Sequence, residues 1–91
     1  MSVVALDAVP YIRRGVKCTY DQIRESHVVL FPEGVLVLNE TAASVVALCD
    51  GVRSVGEIAL SLGDVYAGVE PEDVAELVAR LVERRVVDVD G

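Results

Sequence analysis

The sequence predicts an α+β domain in which three short antiparallel strands are followed by three helices packed on one face of the sheet. Three observations lead there. Strand-type apolar runs fall within residues 16–38, helix-start signals recur after residue 39, and the turn joining the second and third strands is short enough to set their pairing. Strands segregated from helices leave no place for parallel crossovers.

Residues 1–15, MSVVALDAVPYIRRG, read as a lead-in broken by Pro10 and Gly15, and residues 16–91 as a single domain. In VKCTYD, residues 16–21, Val16, Cys18 and Tyr20 alternate with Lys17, Thr19 and Asp21, the period of a half-buried strand. HVVLF, residues 27–31, is a second strand, apolar throughout, and VLVL, residues 35–38, is a third. Between them Pro32 presets φ for a turn and Gly34 can take the positive φ that closes a short hairpin. A meander then puts the second strand at the centre and VLVL on an edge.

Asn39 or Thr41 can cap the first helix, which runs through AASVVALCD to Gly51, a residue suited to the position after a helix end. Ser54 and Glu57 have the spacing of a capping box for the second, whose Val55, Ile58, Ala59 and Leu62 recur at helical spacing before Gly63 or Gly68. The third opens at EPED with Pro71 in the first turn and closes near Arg84 and Arg85, acids first and arginines last, as the helix dipole favours.

The totals narrow the function. A formal charge of −7, with eight cations among fifteen acids, argues against partners held through phosphates and against membrane surfaces. No apolar run is long enough to span a bilayer and the N-terminus lacks a secretory layout, so the expectation is a cytoplasmic protein. Cys18 and Cys49, without a CxxC spacing, are expected to be reduced, buried thiols. His27 has no second histidine to share a metal, there is no phosphate-binding loop, and nothing places Ser26 or Ser44 beside His27 with an orienting acid. The expectation is a non-enzyme without metal or cofactor.

Two features exceed what a small core requires. VLVL is apolar on both faces of an edge strand and carries no charge or proline, the devices that normally blunt such edges. Either the lead-in covers it or another chain completes it. On the third helix Val74, Leu77, Val78 and Leu81 form a core stripe, and Ala75, Ala79 and Val82 widen it to roughly 200°, against about 100° for packing on one neighbour. That flank is either clamped by other elements or lines a groove beside the edge strand.

Several strings resemble the PqqD family: RGVK (14–17), VVLFPEGVLVLNETAA (28–43), LCDG (48–51), RSVGEIA (53–59) and DVAELVARLVERRVV (73–87). The resemblance implies a winged-helix-like domain that recognises ribosomally made precursor peptides, binding PqqA and presenting it to PqqE, a radical SAM enzyme, in pyrroloquinoline quinone biosynthesis. It implies that the peptide adds as a strand to the third strand beside the third helix. Strand contacts would be Val35, Leu36, Val37 and Leu38, and helix contacts Val74, Leu77, Val78, Leu81 and Val82, with Arg80 and Arg84 meeting acidic peptide residues. Cys49, Asp50 and Gly51 would touch the modifying enzyme, a cap being the competing role. FPEGVLVLN lacks the aromatic-rich hairpin of lasso-pathway relatives, which favours the quinone branch over the alternative of leader recognition in another peptide pathway.

Two other readings compete. A winged-helix DNA-binding protein would need a basic third helix, yet residues 72–85 mix acids with arginines. A homodimer could form through the edge strand or a swapped N-terminal segment.

Overall fold

The computed structural model describes residues 4–90, in the order β1 (Val9–Ile12), β2 (Lys17–Asp21), β3 (Ser26–Phe31), β4 (Gly34–Leu38), α1 (Glu40–Leu48), α2 (Val55–Gly63), α3 (Pro71–Glu83) and β5 (Val87–Asp90). The expected three-stranded antiparallel sheet, order β2-β3-β4, and three helices are present. A second, two-stranded sheet pairs β1 with β5.

Cross-strand partners share a face of a sheet. One face of the large sheet therefore carries Cys18, Val29 and Leu36 in one row and Tyr20, His27 and Leu38 in the next. Val29, fully buried, and Leu38 join the core with Val45, Val46, Ile58, Leu62, Val74, Val78 and Leu81 from the helices. The opposite face carries Lys17, Leu30 and Val35 in one row and Thr19, Val28 and Val37 in the next. There Leu30, Val35 and Val37 stay 38, 52 and 52% exposed. Among the described residues, nothing covers the outer face of β4.

Each helix starts as its sequence demands. The Asn39 side chain accepts from the Ala42 N–H, and Ser54 and Glu57 close a reciprocal box. The Asp73 carboxylate accepts from the Glu70 N–H, with Pro71 opening α3. α1 stops earlier than expected. Cys49 is its C-cap, and Gly51, three residues past the helix end, uses φ +78° to donate its N–H to the Pro10 carbonyl instead of closing the helix. At the end of α3, Val86 donates to Leu81 and Arg85 to Val82, a Schellman closure. Arg85 takes φ +63° at the position usually held by glycine, which costs about 1 kcal/mol.

The lead-in belongs to the fold. Leu6 and Ala8 offer carbonyls to the Gly56 and Val55 amides, satisfying two of the unpaired donors at the start of α2. β1 then pairs with β5, and Tyr11 bridges to Asp50. The Pro10 carbonyl faces the 50–52 loop, so its missing N–H also faces that loop and leaves the ladder to β5 intact. These bonds carry residues 6–12 toward the helices and away from β4.

β5 also settles the wide arc of α3. Ala79 is 7% exposed, and Ala75 and Val82 pack on the core, because α2 and β5 both lean on α3. The Ala75/Ala79/Val82 flank is clamped and lines none of the concavities described below.

Candidate functional site

β4 is an edge. Counted from the two-residue turn at Pro32–Glu33, the hydrogen-bonded pairs to β3 are Phe31–Gly34, Val29–Leu36 and His27–Leu38. The N–H and C=O groups of Val35 and Val37 therefore point outward, and no described residue meets them. Their side chains lie on the exposed outer face.

Beside this edge, on the helix side, lies a cleft of about 230 Å³ between β4, the start of α1 and the outer face of α3. Leu36, Val37, Leu38, Asn39 and Ala42 form one wall, and Leu77, Arg80, Leu81 and Arg84 the other. Leu38 and Leu81 are 7 and 2% exposed and make an apolar floor, while Leu36 and Leu77 are half-buried and Arg80 and Arg84 stand exposed at the rim. The groove flank of α3 is thus the 77/80/81/84 flank, opposite the alanines.

The residues named for this site divide. Leu36, Val37, Leu38, Leu77, Arg80, Leu81 and Arg84 converge on the cleft, and Val35 on the open edge. Val74 and Val78, 2 and 0% exposed, are committed to the core, and Val82, partly buried, packs against it; none of the three lines the cleft. At 100° per residue Val78 lies about 60° round from Leu81, whereas Val74 lies within about 20° of it and is set apart by its position one turn and more from the cleft lining rather than by direction. Ala42 in the wall and Arg85 beyond it were missing from the sequence-based set. Nothing local marks Ala42, while Arg85 was legible as a dipole complement only.

The Cys49–Asp50–Gly51 corner is satisfied internally. The Cys49 thiol, 3% exposed, donates to the Val45 carbonyl. Burial pushes it up to about 12, with Asp50 and then Cys18 adding to the rise. The Asp50 carboxylate accepts from the Val52 and Arg53 N–H groups and pairs with the Arg53 guanidinium; the Arg53 amide above all, then that of Val52, holds it below the usual carboxylate range. The corner ties β1 to the α1–α2 loop, and its buried thiol is closed to a partner.

Cys18 departs from the expected buried thiol. It is exposed on β2, on the rim of a second concavity of about 320 Å³ between β2 and α1. His27, also exposed there, meets Tyr20 edge-to-face at 5.1 Å. No group of three or more metal-ligating side chains occurs among the described residues. No described helix is long and apolar enough to cross a membrane.

Residues 26–87 match the family model for coenzyme PQQ synthesis protein D (PqqD). The chain is 40% identical over 86 residues to a PqqA binding protein of Stutzerimonas stutzeri strain A1501, covering 92% of this chain and 94% of the relative. It is 35% identical over 83 residues to the bifunctional coenzyme PQQ synthesis protein C/D of Methylorubrum extorquens, covering 88% of this chain and 22% of that longer one. A solution NMR structure of the PqqD part of Methylobacterium extorquens PqqCD, described as a stand-alone recognition element for ribosomally synthesised, modified peptides, matches with a TM-score of 0.73. It shares 33% identity and the match covers 96% of this chain and 95% of that one.

Proposed function

Because the chain belongs to the PqqD family, we propose that it is a non-catalytic binding protein for a PqqA-type precursor peptide in PQQ biosynthesis. The peptide adds as a fourth strand to β4 and lays alternate side chains into the cleft against α3. One observation carries this reading: the uncharged, unpaired edge of β4 lies directly beside an apolar cleft rimmed by Arg80 and Arg84. Main-chain bonds to Val35 and Val37 supply affinity independent of sequence, and the Leu36/Leu38/Leu77/Leu81 cleft reads alternate side chains.

The bound peptide is then presented to a modifying enzyme of the radical SAM class, and the fusion of PqqC and PqqD in one relative supports action in company with enzymes. The arrangement of the three helices and the hairpin is read as winged-helix-like. Its α3 is not a DNA-reading helix, since Glu76 and Glu83 alternate with Arg80 and Arg84 on its exposed face. When no peptide is bound, the same edge can pair with a second copy.

Titrating a 15N-labelled sample with a PqqA precursor peptide tests the proposal. Amides of residues 35–38 and of the 77–84 face shift together in the bound form. Shifts confined to β2 or the β1–β5 sheet, or none, would remove it.

A further inference from the structure

The cleft has a chemically distinct end. Three ion pairs join described residues, Arg13–Asp88, Arg24–Asp21 and Arg53–Asp50. Arg80, Arg84 and Arg85 have no carboxylate within ion-pair distance among the described residues, in a chain whose formal charge is −7. Arg84 lines the cleft and also a shallow basin of about 260 Å³ at the β3–β4 turn, shared with Phe31, Glu33, Glu83 and Arg85. The last turn of α3 therefore sits by the start of β4, and Leu77 lies toward Asn39 and Ala42 at its far end. The second observation is the backbone of Arg85. Its φ of +63° is strained for any residue with a side chain, and a glycine would close the helix without strain. An arginine is held where the fold would be better served by glycine.

Resting on the β4 reading above, we infer that the α3 C-terminus is an acid-reading end of the cleft, so that the bound segment presents an apolar side chain and then a carboxylate in N-to-C order. An incoming strand paired antiparallel to β4 runs from Leu38 toward Gly34. Its cleft-facing side chains, two residues apart, fall opposite Leu38, then Leu36, then Gly34. The first meets Leu77, the second lies over Leu81 beside Arg80, and the third reaches Arg84 and Arg85. A Cβ placed on Gly34 meets nothing within 4 Å, so space remains there for an aspartate or glutamate side chain. Glu33 and Glu83 border the same basin and offset part of the arginines' charge, so a carboxylate is held there by direct pairing with Arg84 or Arg85 rather than by a broad positive field. Selectivity thus comes from the balance of charge at this end.

Two measurements with the PqqA precursor peptide test the inference. Arg85→Gly relieves the backbone and removes the charge together: melting rises by about 4 °C while peptide affinity falls by about threefold. Arg84→Glu lowers affinity by about tenfold, and replacing one peptide carboxylate with lysine restores it. A nitroxide at the peptide's C-terminal end broadens the amides of Glu33, Gly34, Arg84 and Arg85, and one at its N-terminal end broadens those at 39–42 and Leu77. If the 35–38 amides never respond, the β4 reading itself fails. If they respond but both variants bind within about twofold of wild type, or the nitroxide pattern is reversed, this inference alone is overturned.

Discussion

β2 and β4 flank the same central strand, and each turns two residues' backbone groups outward: Cys18 and Tyr20 on one edge, Val35 and Val37 on the other. On β2 the strand begins with Lys17 and ends with Asp21, whose carboxylate is occupied by Arg24 and the turn amides. On β4 no charge interrupts the run from Gly34 to Leu38, and the charges stand back on α3. Equal hydrogen-bonding capacity is guarded on one edge and left usable on the other. An open strand edge is a site when its neighbourhood adds a cleft and a complementary charge, and a liability otherwise.

The largest expected effect is common to both edges. Val29, fully buried on β3, supports both neighbours, and Val29→Ala should cost about 2 kcal/mol of stability, read by chemical denaturation. Loss confined to one edge, seen as hydrogen exchange rising in β4 alone, would mean that β3 does not support its two neighbours equally. Next, Val37→Pro removes an outward N–H without touching the ladder to β3, and should weaken peptide binding by about tenfold with circular dichroism unchanged. Tyr20→Pro, the matching change on β2, should leave affinity within about twofold. Equal losses from the two prolines would mean that the edges are functionally alike.

The cysteines sharpen the contrast through pH. Cys49 is held near 12 by burial, above an unfolded thiol, so its neutral form favours the fold. Stability from this group is complete below about pH 8.5 and declines as pH rises toward 12, by about 1.4 kcal/mol per unit, a slope that Cys49→Ala should remove from the denaturation profile. Cys18, exposed on β2, should alkylate first and without loss of peptide binding, although partial burial raises its thiol too. The smallest effect is at Lys17. Lys17→Val should change stability by less than about 0.5 kcal/mol yet increase self-association in sedimentation, since it strips the guard from the β2 edge.

Much of this was legible from local signals. Pro32 and Gly34 marked the hairpin, Asn39, Ser54, Glu57 and Pro71 marked helix starts, and the uncharged VLVL run marked the edge. β5 was also written locally, since Val87 and Val89 alternate with Asp88 and Asp90, but a four-residue alternation after a helix is too short to declare itself without its partner. That partner, β1, contains Pro10, which reads as a breaker until its carbonyl is seen to face Gly51.

The sequence by itself determined β2 to β4, the three helices and their starts, the antiparallel hairpin and an edge without charge, because each depends on residues a few positions apart. Only the tertiary structure decided which flank of α3 meets β4. Val74, Val78 and Ala79 are as apolar as Leu77 and Leu81, and burial by α2 and β5, elements distant along the chain, separates the core from the cleft. It also decided that the lead-in is drawn to the start of α2 and to β5, whose unpaired donors compete for it, leaving the backbone of Val35 and Val37 unpaired among the described residues.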